Sequence, residues 1–248
     1  MRDLLRREAW DYGRAFRDRL VAQYREEYGI AEPPAPALII DELLTDFLDV
    51  SLRFDPLPLD TYAQTEWKDG RAVVTVNSLT GKIDGVKDEE GVQNVAKFHE
   101  GVHVDRDLPE LKPGPQLFMA ELGPPPKIVC HRRPSTWNSQ GGTSWTGAGG
   151  NGSRREFWAE EAGRAAAVSY EALARSHAFR AFIRLRQSGH PAANGERWRL
   201  LYLAAEDIGV NITALVKQLE FEGQIIVQKE DGRRVIYPQP AFFTFMGG

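Results

Sequence analysis

The stretch Val95–Asp107, VAKFHEGVHVDRD, decides how this chain is read. Within it, His99, Glu100 and His103 form the pattern HExxH. Val92, Val95, Ala96, His99 and Val102 recur at helical spacing, and no proline falls between Asp88 and Leu108, so the spacing predicts a helix. Side chains four apart on a helix lie one above the other, which lets His99 and His103 reach a single ion. Two neutral imidazoles suit Zn2+, and Glu100 is placed to take a proton from a water activated by that metal. The competing reading is an amphipathic helix that happens to carry two histidines.

Two histidines leave zinc short of one protein ligand if a fourth position is to hold water. The helical sequence that begins at Arg154 and runs to about Leu173 is the natural source. Glu156 and Glu160 are four apart on one face: one can bind the metal while the other fixes the outer nitrogen of a ligating histidine. Glu161 falls off that face and is expected in solvent. An exposed acidic helix start, favoured by the helix dipole, would give the same pattern. A donor for a developing oxyanion is sought among His131, Arg132 and Tyr170. The single cysteine, Cys130, has two readings: a thiolate that occupies the open zinc position and keeps the site latent, or a small buried apolar residue.

Working outward, Ala72–Asn77 (AVVTVN) and Tyr62–Trp67 read as a hairpin across Asp69-Gly70, after a strand at Val50–Phe54 and a helix at Leu38–Leu48. Ala72–Asn77 is either an edge strand able to pair with an extended peptide or an ordinary sheet strand. Arg2–Tyr28 reads as a long charged helix with an apolar stripe, ended by Gly29 and a proline-rich connector. Pro109–Pro126 is proline-rich, and Gly141–Ser153 is glycine-rich without the spacing of a phosphate-binding loop.

Beyond a break at Ser188–Gly195, a helix at Trp198–Ile208 leads to Asn211, which reads as the N-cap of a helix at Ile212–Phe221. Ile225–Gln228 and Arg234–Tyr237 then flank Asp231-Gly232 as a second hairpin. Two helices and a hairpin in that order look like a winged helix. Its candidate recognition helix carries one cation, Lys217, beside Glu220 and Glu222, which is thin for DNA. DNA binding through this segment, with the zinc site structural or vestigial, is the rival reading.

The net charge of −4 advertises no nucleic-acid partner. One cysteine excludes an intramolecular disulfide, no apolar run is long enough to span a membrane, and the N-terminus lacks a signal peptide, so a cytoplasmic protein is expected. The expected fold class is α+β. Residues 1–34 form a charged helix and connector. Residues 35–190 form a zinc domain with a small β-sheet, an HExxH helix, packed helices and a glycine-rich loop at 140–153. Residues 196–248 form the winged-helix-like segment.

HExxH after a hairpin ending in VVTVN, followed by a helix with a glutamate and an alanine-rich stretch, resembles the ImmA/IrrE family of zinc metallopeptidases over roughly Leu38–Leu173. The resemblance implies an intracellular endopeptidase of mobile-element and stress responses that cleaves a DNA-binding helix-turn-helix repressor. It places the family's metal-binding histidines on His99 and His103, its general base on Glu100 and its third ligand on Glu156. Glu160 stands where the family often has asparagine. The chain also departs from the pattern. Val102 precedes the second histidine in place of a small residue, and Val168-Ser169-Tyr170 replaces the usual Leu-Leu-Met-Pro ending. The insertion between His103 and Glu156 is long.

Overall fold

A computed structural model describes residues 2–107, 127–131, 150–185 and 193–239, with backbone alone for Arg2, 127–131, 150–153 and Pro238. It is a mixed α+β structure. A 27-residue helix α1 (Arg2–Tyr28) is followed by a 3-10 turn at Pro36–Ile39 that leads into α2 (Ile40–Phe47). The predicted helix at Leu38 thus starts earlier and tighter, because Pro36 presets the first turn.

Strands β1 (Val50–Asp55), β2 (Thr61–Lys68), β3 (Arg71–Asn77) and β4 (Lys127–His131) form one sheet in the order β1-β3-β2-β4. β2 and β3 are antiparallel, from Ala63 opposite Val76 to Lys68 opposite Arg71. Asp69 and Gly70 both take positive φ, at 51° and 85°, as a tight two-residue hairpin turn requires. β1 runs parallel to β3, with Val50 opposite Ala72. That pairing makes β3 an interior strand, so the edge-strand reading of Ala72–Asn77 is corrected. Its run of buried residues fits a strand flanked on both sides. Among the described residues the edges are β1 and β4.

α3 (Glu89–Val102) packs across β2 and β3 and continues into a π-helical turn, His103–Asp107. Asp88 caps it, accepting the Gly91 N–H at 2.8 Å. α4 (Gly150–Ala167) is sandwiched between α1 and α3. Its alanines allow a close fit: Ala159, Ala162 and Ala166 are fully buried, and two glycines mark where backbones meet. A Cβ at Gly13 of α1 would lie 2.1 Å from the Ala162 carbonyl oxygen, and one at Gly163 would lie 2.7 Å from Cα of His99. The helix expected to run to Leu173 stops at Ala167. Ser169 turns extended and caps a separate α5 (Tyr170–Arg175).

α6 (His177–Leu185) precedes α7 (Ala193–Asp207), which starts before the predicted break has ended and takes Gly195 into its first turn. Asn211 caps α8 (Ile212–Phe221), accepting the Ala214 N–H at 2.9 Å. β5 (Ile225–Glu230) and β6 (Arg233–Pro238) form the second hairpin, with Asp231 and Gly232 at positive φ. This segment is tied to α3. The Asn94 side chain donates to the Gly209 carbonyl at 3.0 Å, and Gly91 lies against the Val210–Asn211 backbone. A single apolar cluster runs from Ala9 on α1, through α3 and α4, to Ile236 on β6. No helix among the described residues is long and apolar enough to cross a membrane.

Candidate metal centre

His99 and His103, one turn apart, bring their Nε2 atoms within 3.0 Å of each other. Glu156 arrives from α4, because the close Gly163–His99 crossing lays that helix along α3. One Glu156 carboxylate oxygen lies 3.3 Å from Nε2 of His99 and the other 3.3 Å from Nε2 of His103. The three residues offer ligand atoms that all lie within 4.8 Å of one another. Zinc bonds of about 2.0–2.2 Å in a tetrahedral arrangement separate neighbouring ligand atoms by about 3.3 Å. The observed spacings fit that figure, and the donor set of two imidazoles and a carboxylate suits the same ion. His103 is fully buried, whereas the Glu156 side chain is 30% exposed and marks the side from which solvent reaches the cluster.

The ring of His103 is fixed from behind. Its Nδ1–H donates to Asp107 at 2.5 Å, so that in the neutral ring the lone pair of Nε2 faces the shared point. Asp107 therefore takes the supporting part expected of Glu160. The Glu160 carboxylate accepts instead from Arg164, its neighbour one turn on, at 2.6 Å. Glu161, expected in solvent, is buried. Trp10 of α1 donates to it at 2.9 Å and Arg164 at 3.0 Å, with Arg6 at 3.4 Å. Those partners outweigh burial and hold its carboxyl below the usual range. Tyr170 is half-buried, with its hydroxyl out of solvent and facing Glu222 and Gln218 of the C-terminal segment. The side chains of Cys130, His131 and Arg132 lie outside the described residues.

Glu100 is fully buried on the sheet side of α3. Thr65 of β2 donates its hydroxyl to one carboxylate oxygen at 2.5 Å, while the other oxygen has no hydrogen-bond partner among the described residues. Burial raises the carboxyl pKa, partly offset by the neighbouring His99, His103 and the Thr65 hydroxyl. The arrangement presents one free, poorly solvated oxygen, as a proton acceptor needs. Two supporting residues thus went unread in the sequence. Asp107 repeats the four-residue spacing that pairs the histidines, and Thr65 occupies an inward position of β2, where Thr61 and Ala63 are also buried.

The charges of the cluster set a pH dependence. Burial disfavours a charged His103 ring, but hydrogen bonds to Asp107 and Glu156 outweigh it and push its pKa up from 6.5 to about 10. Glu156 is also penalised by burial, yet its bonds to His103 and His99 hold it well below the usual carboxylate range. A raised histidine pKa stabilises the fold fully below about pH 6.5 and loses that effect as pH rises through about 10. Zinc needs the neutral ring, so metal and proton compete. Thermal melts of chelator-treated protein should fall between pH 7 and 10, while the rise in melting temperature on adding zinc should grow over the same range. Parallel curves with and without zinc would contradict this.

Compared with models of known protein families, with curated proteins and with solved structures, the chain matches none.

Proposed function

We propose that the chain is a cytoplasmic zinc-dependent endopeptidase of the ImmA/IrrE kind. The observation that carries the reading is the convergence of His99, His103 and Glu156 beside a buried Glu100 with one free oxygen. The two histidines and Glu156 would hold Zn2+. Bound there, the ion supplies Lewis acidity, lowering the pKa of a water to near neutrality and polarising a carbonyl. Glu100 accepts the proton of the attacking water on its free oxygen and returns it to the leaving amine. Thr65 keeps the second oxygen occupied, so the acceptor stays aimed, and Asp107 holds the tautomer of His103. An extended peptide would add to β4, the sheet edge beside the Thr65-bearing strand. The resemblance in sequence points to a DNA-binding repressor as the protein substrate.

The C-terminal order of α7, α8 and hairpin supports a winged-helix reading of that segment, but a structural one. Of α8, Thr213 and Glu220 are exposed and Lys217 is half-buried, while Ala214, Leu215, Val216, Gln218 and Leu219 are buried. Phe221 packs on Trp10 of α1 at 4.0 Å between ring centres. A helix covered in this way has little face left to enter a DNA groove.

Metal removal tests the proposal. Dialysis against a zinc chelator should abolish cleavage of a helix-turn-helix repressor encoded beside this chain, and stoichiometric zinc should restore it. Cleavage that survives chelation undiminished would refute a metal-dependent reaction.

A further inference from the structure

The hydrogen bond from His103 to Asp107 is only as reliable as the turn that joins them. That turn, His103–Asp107, is π-helical. Such turns are rare, make weaker use of the backbone than an α-helix and concentrate at functional sites. Relaxation to a regular α-helix would keep Asp107 on the face of His103, as residues four apart share one, but would rotate it about the axis and lengthen the step between them, so its present aim at Nδ1 belongs to this turn. Something must hold the turn, and its own middle residues show what does.

Both oxygens of Asp105 are engaged by α1. Tyr12 donates its hydroxyl to one, and Arg19 donates to the other at 2.6 Å. Arg106 stacks its guanidinium 3.7 Å above the Trp158 ring of α4, and Tyr12 meets the same ring edge-on at 4.7 Å. Asp105 and Asp107 thus point to opposite sides of the turn, one into α1 and one at the histidine. Half of the Arg19 side chain is exposed, so its ion pair alone is worth little. The half-buried Tyr12 hydroxyl supplies the directional contact.

We propose that Tyr12 and Arg19 are positioning residues of the metal centre: by anchoring Asp105 they hold the π-turn in the shape that aims Asp107 at His103. This rests on the reading of His99, His103 and Glu156 as a metal site. It makes α1 a part of that site, through contacts 86 and 93 residues apart in sequence. The prediction is specific to metal binding, because the anchors touch no ligand directly.

The test uses the full chain and two probes. Zinc affinity is measured by competition with a chromophoric chelator, and coordination geometry is read from the visible spectrum of the cobalt(II)-loaded protein. Asp107→Asn should weaken zinc binding by about 10–100-fold, the usual effect of removing a ligand's outer partner. Tyr12→Phe, which keeps the ring packing, combined with Arg19→Gln should weaken it by about 10-fold and move the cobalt spectrum in the same direction as Asp107→Asn. Arg19→Lys, which keeps the charge, should stay closer to the parent than Arg19→Gln. A double variant with parental zinc affinity and cobalt spectrum, even with a lower melting temperature, would overturn the proposal while leaving the metal centre standing. A parent that takes up neither ion would overturn the metal centre itself, and this proposal with it.

Discussion

Glu100→Gln is expected to lower cleavage by about 10^2–10^4-fold while zinc content and melting temperature stay close to those of the parent. The carboxylate is buried and bonded on one oxygen to Thr65, and the amide is nearly the same size. The amide oxygen can still accept the Thr65 hydroxyl, so the substitution removes basicity without emptying space. Neither histidine nor Glu156 is altered, so the ligand set survives. Burial makes the parent carboxylate a better base than an exposed one, and glutamine has no proton-accepting form at neutral pH. Rates are to be compared on one protein substrate with the zinc content of each sample measured. Cleavage within a few-fold of the parent would remove Glu100 from the reaction.

Gly163→Ala should have the second largest effect, although the residue carries no side chain. The new Cβ would sit 2.7 Å from Cα and 2.8 Å from N of His99, both backbone atoms that cannot rotate away. α3 and α4 must then separate, at a cost of about 1–3 kcal/mol by the usual scale of overpacking. For a chain of this size that corresponds to a fall in melting temperature of roughly 2–12 °C. The separation acts at the residue where His99 meets the helix that brings Glu156, so zinc affinity should fall along with stability. By contrast, Gly195→Ala, whose Cβ would meet nothing within 4 Å, should leave both near the parent. Equal zinc affinity in Gly163→Ala and the parent would show that the crossing does not set the ligand spacing.

What was legible in the sequence was what neighbouring residues determine. The HExxH helix announced itself by its period, and both hairpins by Asp-Gly pairs whose residues do take positive φ. The α8 cap was readable because Asn211 bonds three residues ahead. Glu156 could be narrowed to one of two glutamates, and the packing of α4 chose between them. What was not legible depends on distant partners. Glu161 is buried because Trp10, 151 residues earlier, donates to it. β3 is interior because β1 lies beside it in parallel, a pairing no local pattern encodes. Asp107 shares the spacing of the histidines, but the turn that carries it is π-helical and its neighbour Asp105 is bonded to Arg19 of α1, 86 residues earlier. The length of α4 was overread because alanines favour helix right up to Val168, whereas Ser169 gains more as the cap of α5.

The most direct measurement is the zinc content per chain of purified parent and Glu156→Ala, by elemental analysis after supply of the metal. About one zinc is expected in the parent and little in the variant, because two histidines alone bind far more weakly than the set of three. No zinc in the parent, or equal zinc in both proteins, would contradict the metal centre described here.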